Sequence, residues 1–311
     1  MSFKLSIVIP IFNEFELIPE LGKRLNDFVN LKEGFDDYEV IFVNDGSSDN
    51  SLSKLIELNS ANSKFKTLNL SRNFGHQLAI TAGLEHAQGD CTVVMDGDLQ
   101  DPPELIKEMI IKYKEGYDVV YACRKKRKGE SFIKIVTASM FYRLLKSLSG
   151  IDIPLDTGDF RLMSKRAVEN LMRLKESHRY VRGLVCWIGF KQIAVEYERD
   201  ERFSGETKYP FSKMLSFAWD GITSFSATPL KFASWLGGVC IILSILYTLQ
   251  VIVCKIFFPQ VLVEGWSSII IIVLLLGGTQ LFILGLIGEY IGRISEEVKK
   301  RPLYIVDKFY D

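Results

Sequence analysis

The chain has 311 residues, 48% of them hydrophobic and 24% charged, with 9 prolines and a mean hydropathy of +0.13. Those figures exclude a disordered chain, a collagen-like repeat and a small disulfide scaffold, and the length suggests about two domains. Thirty-eight basic residues balance thirty-eight acidic ones, so bulk charge gives no nucleic-acid signal and any basic patch has to be local.

From the N-terminus, the sequence passes into the apolar run Leu5–Ile11 without a basic region, a long apolar stretch and a small-residue cleavage site, so no signal peptide is expected. Further β-rich runs follow at Tyr38–Asn44, Phe65–Leu70, Cys91–Met95 and Tyr117–Cys123. Helical patterns lie between them at about 14–29, 50–61, 76–87 and 103–115. This alternation predicts an α/β domain built of βαβ units, with a mainly parallel sheet covered on both faces. Ligands of such sheets bind beyond the carboxyl ends of the strands.

The residues at those ends are acidic. The first strand ends in Pro10-Ile11-Phe12-Asn13-Glu14, the second in Asn44-Asp45-Gly46-Ser47-Ser48-Asp49, and the fourth in Asp96-Gly97-Asp98-Leu99-Gln100-Asp101-Pro102. Carboxylates from separate strands converging on one crevice repel each other unless a divalent cation joins them. Asp96 and Asp98 straddle a glycine expected to let the chain turn, so that both face one ion, Mg²⁺ or Mn²⁺. An isolated Asp-Gly-Asp is better explained by a turn with helix N-caps, and Asp101 before two prolines reads as such a cap, but the combined acidic pattern at three strand ends favours the cation. His76, His86 and His178 show no metal-ligand spacing and are left out of the chemistry, and Arg72 after the third strand is not assigned. The five cysteines are odd in number and widely spaced, and read as reduced, structural thiols. No G-x-x-x-x-G-K-[ST] or G-x-G-x-x-G occurs.

Beyond the fifth strand comes the basic run Arg124–Lys128, then Phe132–Leu148 with apolar residues at helical spacing; Arg124 itself stands where it can reach a phosphate. With Phe211–Phe225, this stretch is expected to lie on an anionic membrane surface. Phe232–Cys254 and Ser267–Gly288 carry no charge and are long enough to cross a bilayer. Basic residues flank the pair on the outside, which places both termini in the cytoplasm and the short loop between the helices beyond the inner membrane. Gly285, Gly288 and Gly292 near one helix face permit close helix approach, and a homo-oligomer is expected. The organisation predicted is a cytoplasmic catalytic domain over 1–228, a transmembrane hairpin over 229–290 and a cytoplasmic tail over 291–311.

The strings P-x-x-N-E, V-N-D-G-S-x-D and D-G-D-L-Q-D-P-P, taken together, resemble the family 2 glycosyltransferases. Within them the chain is most similar to the polyprenyl-phosphate hexosyltransferases that carry two C-terminal transmembrane helices. The resemblance implies a GT-A fold and inverting transfer of a hexose from a nucleotide sugar to a lipid phosphate. Glucose carried by UDP is the first reading; other sugars and GDP stay open. It further implies that Pro10, Asn13 and Glu14 lie near the base and that Asp45 contacts base or ribose. Asp96 and Asp98 would hold metal and diphosphate, with Gln100 as a further metal contact. Asp159, in Asp156-Thr157-Gly158-Asp159-Phe160-Arg161, matches the acidic residue near the acceptor. Arg202 and Lys208, in a segment resembling R-x-x-G-x-S/T-K-Y, would grip the donor diphosphate or the lipid phosphate. Asp96-Gly97-Asp98 stands where several relatives have D-A-D, which leaves the ligands intact. A processive polysaccharide synthase and a non-catalytic membrane subunit are the competing readings; the first lacks its Q-x-x-R-W motif here.

Overall fold

A computed structural model describes residues 3–124, 157–177, 179–197, 228–257 and 266–311. They form two compact units, one made of 3–124, 157–177, 179–197 and 302–311, the other of 228–257 and 266–301.

The first unit is built on one eight-stranded sheet. Its opening half alternates strand and helix: β1 (Lys4–Ile11), α1 (Ile18–Leu31), β2 (Asp37–Asn44), α2 (Ser51–Ala61), β3 (Phe65–Leu70), α3 (His76–His86), β4 (Cys91–Val94), α4 (Leu105–Lys114) and β5 (Val119–Arg124). Then come β6 (Thr157–Ser164), α5 (Lys165–Arg173), α6 (Val181–Trp187) and β7 (Gln192–Tyr197); β8 (Val306–Tyr310) comes from the C-terminal end of the chain. The strand order is β7-β5-β6-β4-β1-β2-β3-β8. All run in one direction except β6, antiparallel to both β4 and β5, and β8, antiparallel to β3.

Near-continuous Val and Ile runs make β1 and β2 strands buried on both faces. Leu5, Ile7, Ile9 and Ile11 of β1 join a core with Leu21 and Leu25 of α1, Leu55 of α2, and Ile106 and Met109 of α4. The alternate residue Val8, with Val43 of β2, meets α3 at Gly83 on the opposite face. The chain proceeds outward through β1, β2 and β3, then returns to lay β4 on the other side of β1. That reversal of direction makes the carboxyl ends of β1 and β4 the switch point, the place where sheets of this kind form a ligand crevice.

Strands β6, β7 and β8 are additional to the five expected. The stretch 291–311, expected to be a tail, instead carries the last turns of a helix and then β8, which adds the outermost strand to the sheet.

The second unit holds two helices, α7 (Thr228–Phe257, 30 residues) and α8 (Trp266–Lys299, 34 residues). They pack on one another and present Ile242, Leu246 and Val253 on α7, and Leu276, Leu281 and Leu284 on α8, to the outside. Among the described residues, one stretch, Leu275–Lys299, is long and apolar enough to cross a membrane by length and composition.

Candidate active site at the carboxyl ends of the strands

Two loops at the ends of β1 and β2 are laced together. Asn13 adopts a left-handed backbone (φ 55°), and its Oδ1 accepts the Ser48 N–H at 2.8 Å while its own N–H donates to Ser47 Oγ at 3.0 Å. The Glu14 N–H donates to Ser51 Oγ at 3.0 Å. Pro10 is buried within β1, in register with Val43. The Asn13 and Glu14 signature thus closes one wall of the crevice through backbone and side-chain bonds.

Asp45 follows β2 and is buried. Its Oδ1 accepts the Phe74 N–H at 2.7 Å and its Oδ2 the Gly75 N–H at 2.9 Å, in the turn that opens α3. Burial outweighs these bonds and raises its pKa. Here the carboxylate shapes the Arg72–Gly75 loop, whether or not it also meets a nucleoside. Arg72 is occupied locally, donating to the Asn73 carbonyl at 3.0 Å and stacking over Phe74.

Beyond β4, the turn differs from expectation. Its left-handed residue is Leu99 (φ 60°); Gly97 keeps an ordinary φ and is small because a Cβ there would lie 2.6 Å from Ile11 Cδ1. Asp98 Oδ1 accepts the Gln100 N–H at 3.2 Å, and Gln100 is buried. Asp101 is no cap: it accepts the Tyr197 hydroxyl at 2.8 Å, while α4 has no side-chain cap bond.

Antiparallel pairing explains what faces Asp96. Val94 of β4 lies opposite Arg161 of β6, so two residues further on Asp96 comes beside Asp159. His76, from the first turn of α3, joins both: its Nε2 is 3.1 Å from Asp159 Oδ2 and 3.5 Å from Asp96 Oδ1. This corrects the exclusion of His76 from the chemistry. Its partners are 20 and 83 positions away on other elements, so no local spacing reveals them. Arg182, on α6, completes the cluster with Nε at 2.8 Å from Asp159 Oδ1 and Nη2 at 2.9 Å from Oδ2. Arg182 belongs to no motif read in the sequence, and Gln77, whose Nε2 reaches Asp159 Oδ2 at 3.4 Å, lies with Arg72 and His76 in the stretch after the third strand that is not assigned a role.

The two acids are shifted in opposite directions. Burial raises the pKa of Asp159, but the Arg182 guanidinium and His76 prevail and hold it well below the usual carboxylate range. Burial, opposed by His76 and reinforced by Asp101, Asp159 and Asp98, pushes Asp96 up to about 6. Its side chain is 25% exposed, yet Oδ1 is closed to solvent and has no hydrogen-bond partner. An unsatisfied carboxylate oxygen among other acids suits a hard divalent cation. His76, Asp96 and Asp159 offer ligand atoms within 4.8 Å of one another, a different trio from the expected Asp96, Asp98 and Gln100. Because Asp159 is already committed to Arg182, Asp96 is the member of the trio best fitted to a metal.

The model of glycosyl transferase family 2 matches residues 6–172, more than half of the chain and every strand end just described. The chain belongs to that family. It is 55% identical to the Bacillus subtilis (strain 168) glycosyltransferase YkcC over 305 residues, 98% of this chain and 94% of the relative. It is 40% identical to a prophage bactoprenol glucosyl transferase homolog of Escherichia coli (strain K12), covering 98% of this chain and 99% of the relative. To the bactoprenol glucosyl transferase of Shigella phage SfII it is 41% identical, with 98% of each covered. Among solved structures, glucosyl-3-phosphoglycerate synthase from Mycobacterium tuberculosis is similar at TM-score 0.48 and 18% identity, over 72% of this chain and 79% of that one.

As a family 2 glycosyltransferase, the protein is a transferase of GT-A fold, its mostly parallel sheet interrupted by antiparallel β6. The crevice between β1 and β4 is its candidate active site. Arg202 and Lys208, the interfacial segments 132–148 and 211–225, and the side chain of Arg124 lie outside the described residues.

Proposed function

We propose that the protein transfers glucose from UDP-glucose to a membrane polyprenyl phosphate, with inversion at the sugar, and releases UDP. The carrying observation is the full-length match, at 40% and 41% identity, to relatives named bactoprenol glucosyl transferases. In this reading the enzyme sits in the inner membrane through α7 and α8 with both termini cytoplasmic, so that the lipid presents its phosphate without leaving the bilayer. The apolar exterior of both helices supports this.

The chemistry asks for a nucleophile, a neutralised leaving group and alignment. A phosphate oxygen of the lipid forms the new bond to the sugar's C1 while the bond from C1 to the UDP oxygen breaks, and the electron pair leaves with the diphosphate. A phosphate monoester with a second pKa near 6 is already largely ionised at neutral pH. No strong base is required, and Asp159, held as an anion by Arg182, is a poor one. Its place is to orient. Asp96, with Asp98, would hold Mg²⁺ or Mn²⁺, which when bound supplies positive charge against the departing diphosphate. Arg202 and Lys208 are assigned to the same phosphates by family resemblance.

The test uses the full chain in vesicles containing undecaprenyl phosphate, with UDP-glucose labelled in the sugar. The expected product is a single-glucose lipid extractable into organic solvent, formed with stoichiometric UDP, abolished by chelation and restored by Mg²⁺ or Mn²⁺. A long polymer would indicate a synthase, and no labelled lipid with any nucleotide sugar would overturn the reading.

A further inference from the structure

Asp159 and Arg182 form an unequal pair. The Asp159 side chain is 4% exposed and Arg182's is 31% exposed, so the carboxylate is sealed while the arginine side chain keeps part of its surface open. A guanidinium carries five N–H donors. The Nε and Nη2 of Arg182 serve Asp159, and no other hydrogen bond of Arg182 is formed among the described residues. On the carboxylate, Oδ1 accepts from Arg182, and Oδ2 accepts from Arg182 and Gln77 and lies against His76. A second guanidinium, Arg161, lies 3.9 Å from Asp159 Oδ1 and is itself fixed by donating to the Gly158 carbonyl at 2.9 Å. Two guanidiniums flank this one carboxylate, so the pair around Asp159 carries an excess positive charge beside Asp96. Gln77 fixes the backbone beside Arg182 as well, its Oε1 accepting the Val181 N–H at 3.0 Å.

We infer that Arg182 binds the acceptor phosphate, with Asp159 as the anchor that orients it. The inference rests on the lipid-phosphate reading above. A lone carboxylate beside an anionic nucleophile would repel it. A carboxylate that locks a guanidinium in place, with that guanidinium's free donors directed to a phosphate oxyanion, aligns it instead. The same donors would also suit the donor's diphosphate, and kinetics separate the two.

The experiment measures initial rates in the full-length enzyme with undecaprenyl phosphate and UDP-glucose varied in turn, together with the melting midpoint. Lysine in Arg182→Lys has one point of charge and cannot hold Asp159 and a phosphate at once. It is expected to raise the acceptor KM roughly tenfold or more and to leave the donor KM within about twofold. Arg182→Gln alone strands a buried carboxylate, so the informative partner is the double variant Asp159→Asn/Arg182→Gln. The double variant should recover the melting midpoint and still show the raised acceptor KM, which a purely structural ion pair would not produce. Wild-type acceptor KM in both variants, or a rise in donor KM instead, overturns the inference while leaving glucosyl-lipid synthesis intact. Wild-type enzyme that makes no glucosyl lipid overturns the underlying reading instead.

Discussion

Glu39 is 1% exposed in β2, far from the crevice, and stays ionised. Burial alone would raise its pKa, but the Ser6 hydroxyl at 2.7 Å, the Gln88 N–H at 2.7 Å and Lys66 at 3.1 Å outweigh burial and lower it. A carboxyl titrating lower in the folded than in the unfolded chain contributes stability above the unfolded pKa, here 4.5, and loses it as pH falls through the folded value. Glu39→Gln should therefore cost about 2 kcal/mol at pH 7 and progressively less below pH ~4, which melting midpoints across an acid series would read. Gly46 sets a second constraint. Its φ is +63°, and a Cβ there would lie 2.3 Å from the Arg72 carbonyl carbon, so Gly46→Ala should destabilise the fold by about 3 kcal/mol in denaturant titration. The acids Asp45, Asp96 and Asp98 were legible at this scale because each stands at the end of an apolar run. His76 and Arg182 were not. Each acquires its role only when β6 pairs with β4, and nothing adjacent in sequence signals that contact.

At the scale of elements, apolar density decided what could be read. β1 and β2 are dense in Val, Ile and Phe, β3 alternates apolar with polar residues and β4 is a short Cys-Thr-Val-Val run, each between turn residues, and the structure places strands within one residue of those expected. β6 looked like a motif because Asp159 and Arg161, two charged residues buried in a strand, interrupt its pattern. β8 is short and polar on one side, and its reason for existing is β3's free edge. It is held by side chains as well: Asn69 Nδ2 donates to Asp307 at 2.9 Å, the Tyr304 hydroxyl to Glu85 at 2.6 Å, and His86 lies against Phe309. Thus α3 carries His76 in its first turn and is clasped by the C-terminal segment at its last. Deleting 302–311 should abolish hydrogen-exchange protection of the β3 amides that face β8 and of the end of α3, while the β3 amides bonded to β2 and those of β1 and β4 remain protected. Unchanged β3 protection would show that the edge does not depend on β8.

Over the whole molecule, identity to relatives extends from the acidic crevice through both long helices, so the site and the helical pair are matched as one piece. The domain plan was read from two charge-free stretches, and the helices that contain them run longer than those stretches, 30 and 34 residues. Their charged ends gave no boundary because a helix of Glu, Lys and Arg at favourable spacing continues past the apolar part. The return of the chain to β3 after α8 has a topological consequence. A path that departs from one sheet and ends in that same sheet pierces any barrier an even number of times. If Leu275–Lys299 crosses a membrane, parity asks for a second crossing elsewhere in the chain, which the proposed hairpin assigns to α7. In a cysteine-free background, Lys32→Cys and Asp311→Cys should react with an impermeant thiol reagent from one side of sealed vesicles, and Pro259→Cys only from the other. Labelling of all three from a single side would mean zero passages, a hairpin resting on the surface like a staple that never went through the page.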